Sequence, residues 1–437
     1  MARSGVDRVS ASRVLRTAQV LAVGSELLGT TRLDTNSLFI TDKLSSLGII
    51  VRSKTVVGDD RDTITDHCAQ ALARVDLVVL TGGLGPTDDD LTRDAVALVT
   101  GLPLEEDPTI TETIRGRFER RGMRMPEINR RQAMVLRGAT VLDNPNGTAP
   151  GQFLEHQGRV LILLPGPPRE LRPMLNSLCE GSLKERTADE RSYRTSLFIT
   201  GRSESHVEET VQPIYSGWRE ETPPIETTIL AAPGQVELHM ILSSSNGAAA
   251  TARLRAASGE LAAALGRHVF STDGRSMEDV VGTLLLERGL TISAAESCTG
   301  GLMMTRLTDI AGSSAYVLGG VVCYSNEMKR DVLKVAESDL RDHGAVSEPV
   351  AVALAEQVKS IAGADIGVSI TGIAGPGGGS PQKPVGTVVI AVVDSSNVAR
   401  VRTFQFIGDR AQVRFQASQA ALEMVRRQLV YNDPVSN

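Results

Sequence analysis

Three short stretches carry residues able to do chemistry together. The first, AAESCTGG (294–301), sets Ser297 beside Cys298 and follows them with Thr299, Gly300 and Gly301. A hydroxyl or thiol at a strand end, running into a helix whose first N–H groups are unpaired, has the parts of a nucleophile beside an oxyanion site. The competing reading is that Ser297 only caps the helix, as serine commonly does. A serine nucleophile needs a base. The second stretch, GGVVCYSNEMKRDVL (319–333), offers Lys329, with the Tyr324 hydroxyl close by. A lysine desolvated there loses its proton more readily and can take the serine's. The ordinary fate of a lysine is instead a solvated helix position. Cys298 is the rival nucleophile, expected to point away from its chain neighbour. The third stretch, SITGIAGPGGGSPQKPVG (369–386), carries Thr371, Gly372 and Gly375 among closely spaced glycines. Its N–H groups suit a phosphate; it lacks the GK[ST] ending of a Walker loop, and taken alone it reads first as a flexible surface loop.

The amino-terminal half has a constellation of another kind. TGGLGPTDDDLT (81–92) puts Gly82, Gly83 and Gly85 ahead of Asp88, Asp89 and Asp90. The glycines permit backbone contact with a phosphate, and the acids suit a hard divalent cation. AVGSELL (22–28) adds Glu26, and RLDTNS (32–37) adds Asp34 and Asn36. Together they suit a pyrophosphate whose charge a metal offsets. The alternative is a helix start decorated with acids for its dipole.

Elements must bring these stretches together. QVLAVG (19–24), VDLVVL (75–80) and RVLILLP (159–165) read as buried strands, and NSLFITDKLSSL (36–47) as a helix. Strands alternating with helices imply parallel βαβ units, which bind ligands beyond the carboxyl ends of their strands. The charged stretch 181–193 marks a boundary, followed by a small α+β module over 194–270. After STDGRS (271–276) the α/β alternation returns, with helices expected at 277–288, 300–310, 327–336, 348–362 and 409–429. Strands are expected at LTISA, GGVVCY, IGVSIT, GTVVIAVV and VRTFQF. The fold class is α/β: two α/β domains, 17–180 and 275–432, joined by the α+β module, after a flexible leader over 1–16.

Taken together, AESCTGG, GGVVCYSNEMK and TGIAGPGGG resemble the carboxy-terminal domain of the CinA family, the competence/damage-inducible protein A-like proteins. Stand-alone relatives of that domain are nicotinamide-nucleotide amidases. The resemblance implies hydrolysis of nicotinamide mononucleotide to nicotinic acid mononucleotide and ammonia without a cofactor. It implies Ser297 as nucleophile, Lys329 as base and Tyr324 as assisting hydroxyl. Thr299, Gly300, Gly301, Thr371, Gly372 and Gly375 match the substrate-binding loops, and Arg410 and Arg414 resemble the phosphate-holding residues.

AVGSELL, DTNS, VGDD, TGGLGPTDDDLT, NPNGTAPG and LPGPPREL resemble the amino-terminal CinA domain, similar in fold to molybdopterin-binding proteins. That likeness implies a metal-dependent ADP-ribose pyrophosphatase yielding AMP and ribose 5-phosphate. Glu26, Asn36, Gly82, Gly83, Gly85, Asp89 and Asp90 form its site, with Asp89 and Asp90 on a divalent metal. Family members commonly carry Ser or His where Asp88 stands. The middle module resembles a KH-like connector, but its nearest match to a GxxG loop, GRSES (201–205), lacks the second glycine. A homodimer is also implied.

Composition narrows the alternatives. A net charge of −6 and 3% aromatics leave no basic stripe or stacking platform for nucleic acid. Four scattered cysteines without CxxC exclude a disulfide framework and suit a reducing cytoplasm. No apolar run approaches the ~18 residues a membrane span needs. Two other readings stay open: an amidase whose amino-terminal domain only binds a pterin or nucleotide, and a non-enzymatic adaptor in competence or DNA damage.

Overall fold

The apolar runs become strands because their β-branched and leucine side chains are covered on both faces, the usual condition for parallel sheets. The computed structural model describes residues 14–431. The leader expected over 1–16 lies, through residue 13, outside the described residues. Leu15 is already part of the fold: it is buried and its N–H donates to the Arg186 carbonyl.

The described residues fall into two compact units, one through Tyr193 with Leu242–Thr251, the other Arg194–Ile241 with Ala252 onward. In the first, β1 (Thr17–Val23), β2 (Ile50–Val57) and β3 (Leu77–Thr81) belong to one sheet. A two-stranded ladder pairs β4 (Leu104–Glu106) with β5 (Met134–Leu136). The sheet is completed by β6 (Thr140–Leu142), β7 (Gly151–His156) and β8 (Arg159–Leu164), in the order β2-β1-β3-β8-β7-β6. Its first four strands are parallel; β7 and β6 add an antiparallel edge. β3 is buried at every position, which is why VDLVVL reads as an unbroken apolar run.

A four-stranded sheet, β10-β11-β9-β12, combines β9 (Arg191–Ile199), β10 (Ile225–Ala232), β11 (Gln235–Ser244) and β12 (Val269–Ser271). The helices Glu204–Tyr215 and Gly247–Leu265 accompany it. The last sheet holds β13 (Ile292–Glu296), β14 (Val317–Val322), β15 (Ile366–Gly372), β16 (Thr387–Val393) and β17 (Ala399–Gln405), in the order β14-β13-β15-β16-β17. β14, β13 and β15 are parallel, so the three loops carrying Ser297, Lys329 and Thr371 leave the same end of the sheet. β16 and β17 run antiparallel. The helices Met277–Arg288 and Arg410–Tyr431 pack on one face, where Val281, Leu285, Val413, Ala417 and Leu422 join the core.

Two expected helices differ. The one expected over 327–336 stops at Asp331, because Lys334 is left-handed at φ 53°, and a second short helix, Glu337–Asp342, follows. The one expected from 300 starts at Leu302, because Gly300 and Gly301 are left-handed at φ 60° and 91°.

Candidate active site

The carboxyl ends of β13 and β14 bring Ser297 and Lys329 into contact. Lys329 Nζ donates to Ser297 Oγ at 3.2 Å, to the Cys323 carbonyl at 2.8 Å and to the Tyr324 carbonyl at 3.3 Å. Lys329 is only 1% exposed, and among the described residues no carboxylate pairs with it. Its helix Asn326–Asp331 is otherwise surface-facing, so the lysine is the one residue that helix buries. Burial therefore holds its ammonium below the ordinary lysine range. Two peptide carbonyls orient the amine without supplying a counter-charge, which suits a lysine that must be neutral to act.

Ser297 does not cap the helix that follows. The cap position of Leu302–Thr308 is Gly301, with no side-chain cap. Its first N–H groups are taken by the buried carboxylate of Glu296, which accepts from Met303 N at 3.1 Å and Met304 N at 2.9 Å. Glu296 removes the competing explanation for the serine by doing the capping itself. In the sequence Glu296 stands six residues ahead of the helix start at Leu302, too far for an ordinary capping position, so only the folded turn reveals its role. The Ser297 N–H donates to the Ile370 carbonyl at 2.9 Å, fixing the serine against the neighbouring strand.

The backbone N–H groups that follow Ser297 are not all free for a ligand. The Gly300 N–H is turned back onto the Ser297 carbonyl at 3.1 Å, closing the turn that its left-handed backbone makes. Thr299 is fully buried and its Oγ1 finds no partner. Cys298 is buried in the core, and desolvation pushes its thiol up to about 12, so a thiolate is disfavoured there.

Arg410 and Arg414 lie one turn apart on the carboxy-terminal helix and tie the three loops together. Arg410 donates to the Gly375 carbonyl and to the Tyr324 hydroxyl, both at 2.7 Å. Arg414 donates twice to the Thr299 carbonyl, at 3.2 and 2.7 Å. The Tyr324 hydroxyl is thus aimed at Arg410 rather than at the serine–lysine pair. The Thr371 hydroxyl is engaged by the Ala345 carbonyl at 2.8 Å. Gly372 and Gly375 follow in the same loop, packed against Val388 and Val385 so closely that an added Cβ would stand 2.7 and 2.6 Å from their side chains. Gly301 borders Val322 at the end of β14.

The amino-terminal constellation is a wider place. A cleft of about 620 Å³ is lined by Glu26, Asn36, Gly82, Gly83, Gly85, Asp89 and Asp90. Gly82 is left-handed at φ 98°, and an added Cβ would stand 2.0 Å from the Val23 carbonyl, so only glycine fits. Asn36 donates to the Gly166 carbonyl at 2.7 Å, and its buried Oδ1 lacks a partner. Asp90 braces the loop: it accepts from Gly85 N at 2.6 Å and from both Thr87 N and Thr87 Oγ1. Asp89 is exposed. Asp88 pairs with Arg131. Buried Arg93, unnoticed in the sequence, donates to the Leu84 and Gly85 carbonyls, and desolvation lowers it to about 10. Among the described residues no three His, Cys, Asp or Glu converge as metal ligands. The donor set fits an ion arriving on a phosphate, with the exposed carboxylates of Asp89 and Glu26 on the cleft, and not an ion caged by protein alone. A second hollow of about 430 Å³ shares Thr148 and Glu170 with the cleft and is lined by Arg117, Arg120, Arg121 and Arg169.

The chain matches the "CinA C-terminal domain" over residues 274–429 and the "Probable molybdopterin binding domain" over 19–185. A CinA-like protein of Koribacter versatilis (strain Ellin345) is 46% identical over 417 residues, 94% of this chain and 100% of its own length. The chain belongs to the CinA family. A CinA-like protein of Solibacter usitatus (strain Ellin6076) is 40% identical over 94% of this chain and 98% of its own. The solved structure of a competence/damage inducible protein from Agrobacterium tumefaciens, CihA, covers 34% of this chain and 91% of its own at 41% identity, with TM-score 0.34. Among the described residues of this CinA-family chain no helix is long and apolar enough to cross a membrane, and all four cysteines are buried and unpaired.

Proposed function

We propose that the carboxy-terminal domain is an amidase that converts nicotinamide mononucleotide to nicotinic acid mononucleotide and ammonia. The observation that carries this reading is the buried, uncompensated Lys329 amine 3.2 Å from Ser297 Oγ. In the neutral form Lys329 takes the serine proton as Oγ attacks the carboxamide carbon. The Cys298 and Thr299 N–H groups, which donate to no backbone carbonyl among the described residues, would be the backbone donors for the oxyanion. Lys329 returns the proton to the departing nitrogen, ammonia leaves, and water activated by the same amine hydrolyses the acyl-enzyme. No metal or cofactor is needed for these steps. Arg410 and Arg414, which already gather the loops, present the positive charge for the substrate phosphate. The test is ammonia release from nicotinamide mononucleotide by the purified chain without added metal, compared with Ser297→Ala. Equal rates would overturn the serine assignment.

For the amino-terminal domain we propose cleavage of ADP-ribose to AMP and ribose 5-phosphate. An acidic cleft adjoining an arginine-lined hollow supports it. The cleft repels a bare pyrophosphate, so the ligand must bring a divalent cation; Asp89 would hold that ion, which offsets phosphate charge. The arginines offer the complementary charge beside it. Formation of AMP only with added divalent metal, lost in the double variant Asp89→Asn with Asp90→Asn, is the expected result. Retained cleavage in that variant would place the reaction elsewhere.

A further inference from the structure

The GRSES loop, left without a role as a GxxG match, borders a cavity of about 930 Å³ inside the second unit. The cavity lies between the β9–Glu204 connection of the middle module and the face formed by β17 and the carboxy-terminal helix. Its size is that of a small-molecule site. Two features define what it would hold.

The first is an arginine whose charge is not neutralised. Arg202 Nε donates to His268 Nε2 at 3.1 Å. His268 Nδ1 lies 3.1 Å from the Thr200 carbonyl and so carries the ring proton, leaving Nε2 as the acceptor. Burial, with the nearby arginines, keeps this imidazole neutral. A neutral ring thus positions the guanidinium while its outer nitrogens stay open, and among the described residues no carboxylate pairs with it.

The second is a planar stack. Arg402 and Phe404 share one face of the edge strand β17, and Phe406 follows directly beyond its end at Gln405. The two rings are parallel within 9° at 5.3 Å, and the Arg402 guanidinium lies 4.8 Å from the Phe404 centroid. In a chain with so few aromatics, two of them meet at one cavity.

We propose that this cavity binds a free nucleotide, with its phosphate on Arg202 and its base on the Phe404–Phe406 stack, and that occupancy is felt at the Ser297 loop. The link is a chain of hydrogen bonds through buried Gln419. Its Nε2 donates to Gln235 across the cavity wall at 3.2 Å, and its Oε1 accepts from Arg306. Arg306 sits on the short helix Leu302–Thr308, whose start is clamped by Glu296 next to Ser297. Gln419 also shares its helix with Arg410 and Arg414. A ligand that binds two arrangements of Gln419 unequally will shift the nucleophile loop between them. The coupling half of this inference depends on the amidase reading; the binding half does not.

The test uses the full-length chain with AMP as probe. Photolabelling with 8-azido-AMP, protected by excess AMP, should mark peptides from 200–206 or 399–406. Label confined to the amino-terminal cleft or the Ser297 loop overturns the site. Arg202→Glu, an exposed substitution, should weaken AMP binding by calorimetry at least tenfold, and Phe406→Leu at least threefold, with basal amide hydrolysis unchanged in Arg202→Glu. Binding within twofold of the parent in both overturns the proposal. An RNA pentamer that binds more tightly than AMP overturns the assignment to a free nucleotide. AMP should alter kcat or KM for nicotinamide mononucleotide in the parent and not in Arg202→Glu; an unchanged rate with labelled cavity overturns the coupling alone. If the parent hydrolyses no amide with or without AMP, the amidase reading fails, and the binding half stands or falls on the label.

Discussion

The two candidate sites of this chain are built by opposite means. At the carboxy-terminal one, a buried lysine, a buried serine and a buried glutamate are held by backbone groups, and each polar atom has one assigned task. At the amino-terminal one, the acids are mostly exposed, and the carboxylate most tightly held, Asp90, is occupied in bracing its own loop. On the proposed reading, the first arrangement has its serine–lysine contact in place before a substrate arrives, which is where preorganised catalysis gains most. The second becomes a site only when an ion and a phosphate complete it. A dry, self-sufficient pair and a wet, ligand-completed cleft therefore predict different responses to substitution, pH and metal.

The largest separation should come from the nucleophile. Ser297→Ala is expected to lower ammonia release by at least about a thousandfold and to leave AMP formation from ADP-ribose unchanged; Cys298→Ala should keep amide hydrolysis within about tenfold. A Cys298→Ala variant as dead as Ser297→Ala would reverse the two roles. Lys329→Met should be nearly as severe. In the parent, kcat/KM should rise with pH through a value below the ordinary lysine pKa and level off above it, because only the neutral amine accepts the proton. The same shift has a stability sign. The folded state releases the Lys329 proton at lower pH than the unfolded chain does. Between those two values the unfolded chain binds more protons, so this group's contribution to stability increases with pH. A flat pH–rate profile across that range would remove Lys329 as base.

Glu296→Gln should have an intermediate effect. It keeps the shape and one acceptor but loses a charge-assisted clamp, at a cost of about 1–3 kcal/mol, read as a lower Tm together with slower amide hydrolysis. The smallest effects should lie in the other cleft. Asp90→Asn should loosen the 85–90 loop by about 1 kcal/mol. Asp89→Asn should leave Tm unchanged and raise the metal concentration needed for ADP-ribose cleavage. Were Asp89→Asn the destabilising one, the division of labour between those neighbours would be inverted.

How much of this was readable beforehand differs between the regions for a physical reason. Ser297, Lys329 and the Thr371 loop were legible because each follows a short β-branched strand, and parallel strands deliver such loops to one end of a sheet. The capping role of Glu296 was not legible, since serine and glutamate both suit a helix start and only three-dimensional reach decides between them. The resemblance made Tyr324 an assisting hydroxyl and Gly300 part of a substrate loop, whereas the structure gives the Tyr324 hydroxyl to Arg410 and the Gly300 N–H to a turn. The break after Asp331 depends on one left-handed lysine, which no periodicity announces. In the amino-terminal half the triple aspartate reads as three equal ligands. The fold makes them unequal through Thr87 and Arg131, partners that a string of like residues conceals. The antiparallel edges of both α/β sheets were likewise hidden, because strand direction follows connection geometry more than composition.

The clamps around Ser297 have a consequence for how this region tolerates change in length. The segment 296–304 is tied at Glu296 to the helix start, at Ser297 to β15 and at Thr299 to Arg414. One residue more or fewer there would break several of these ties at once. The 376–385 segment of the glycine-rich loop has exposed glycines and is tied back through Lys383 to the His343 carbonyl. Insertions should therefore be accepted near Gly377–Gly379 and rejected between Glu296 and Leu302, so that chain length, and not only residue identity, separates the tied segment around Ser297 from the part of the domain that can vary.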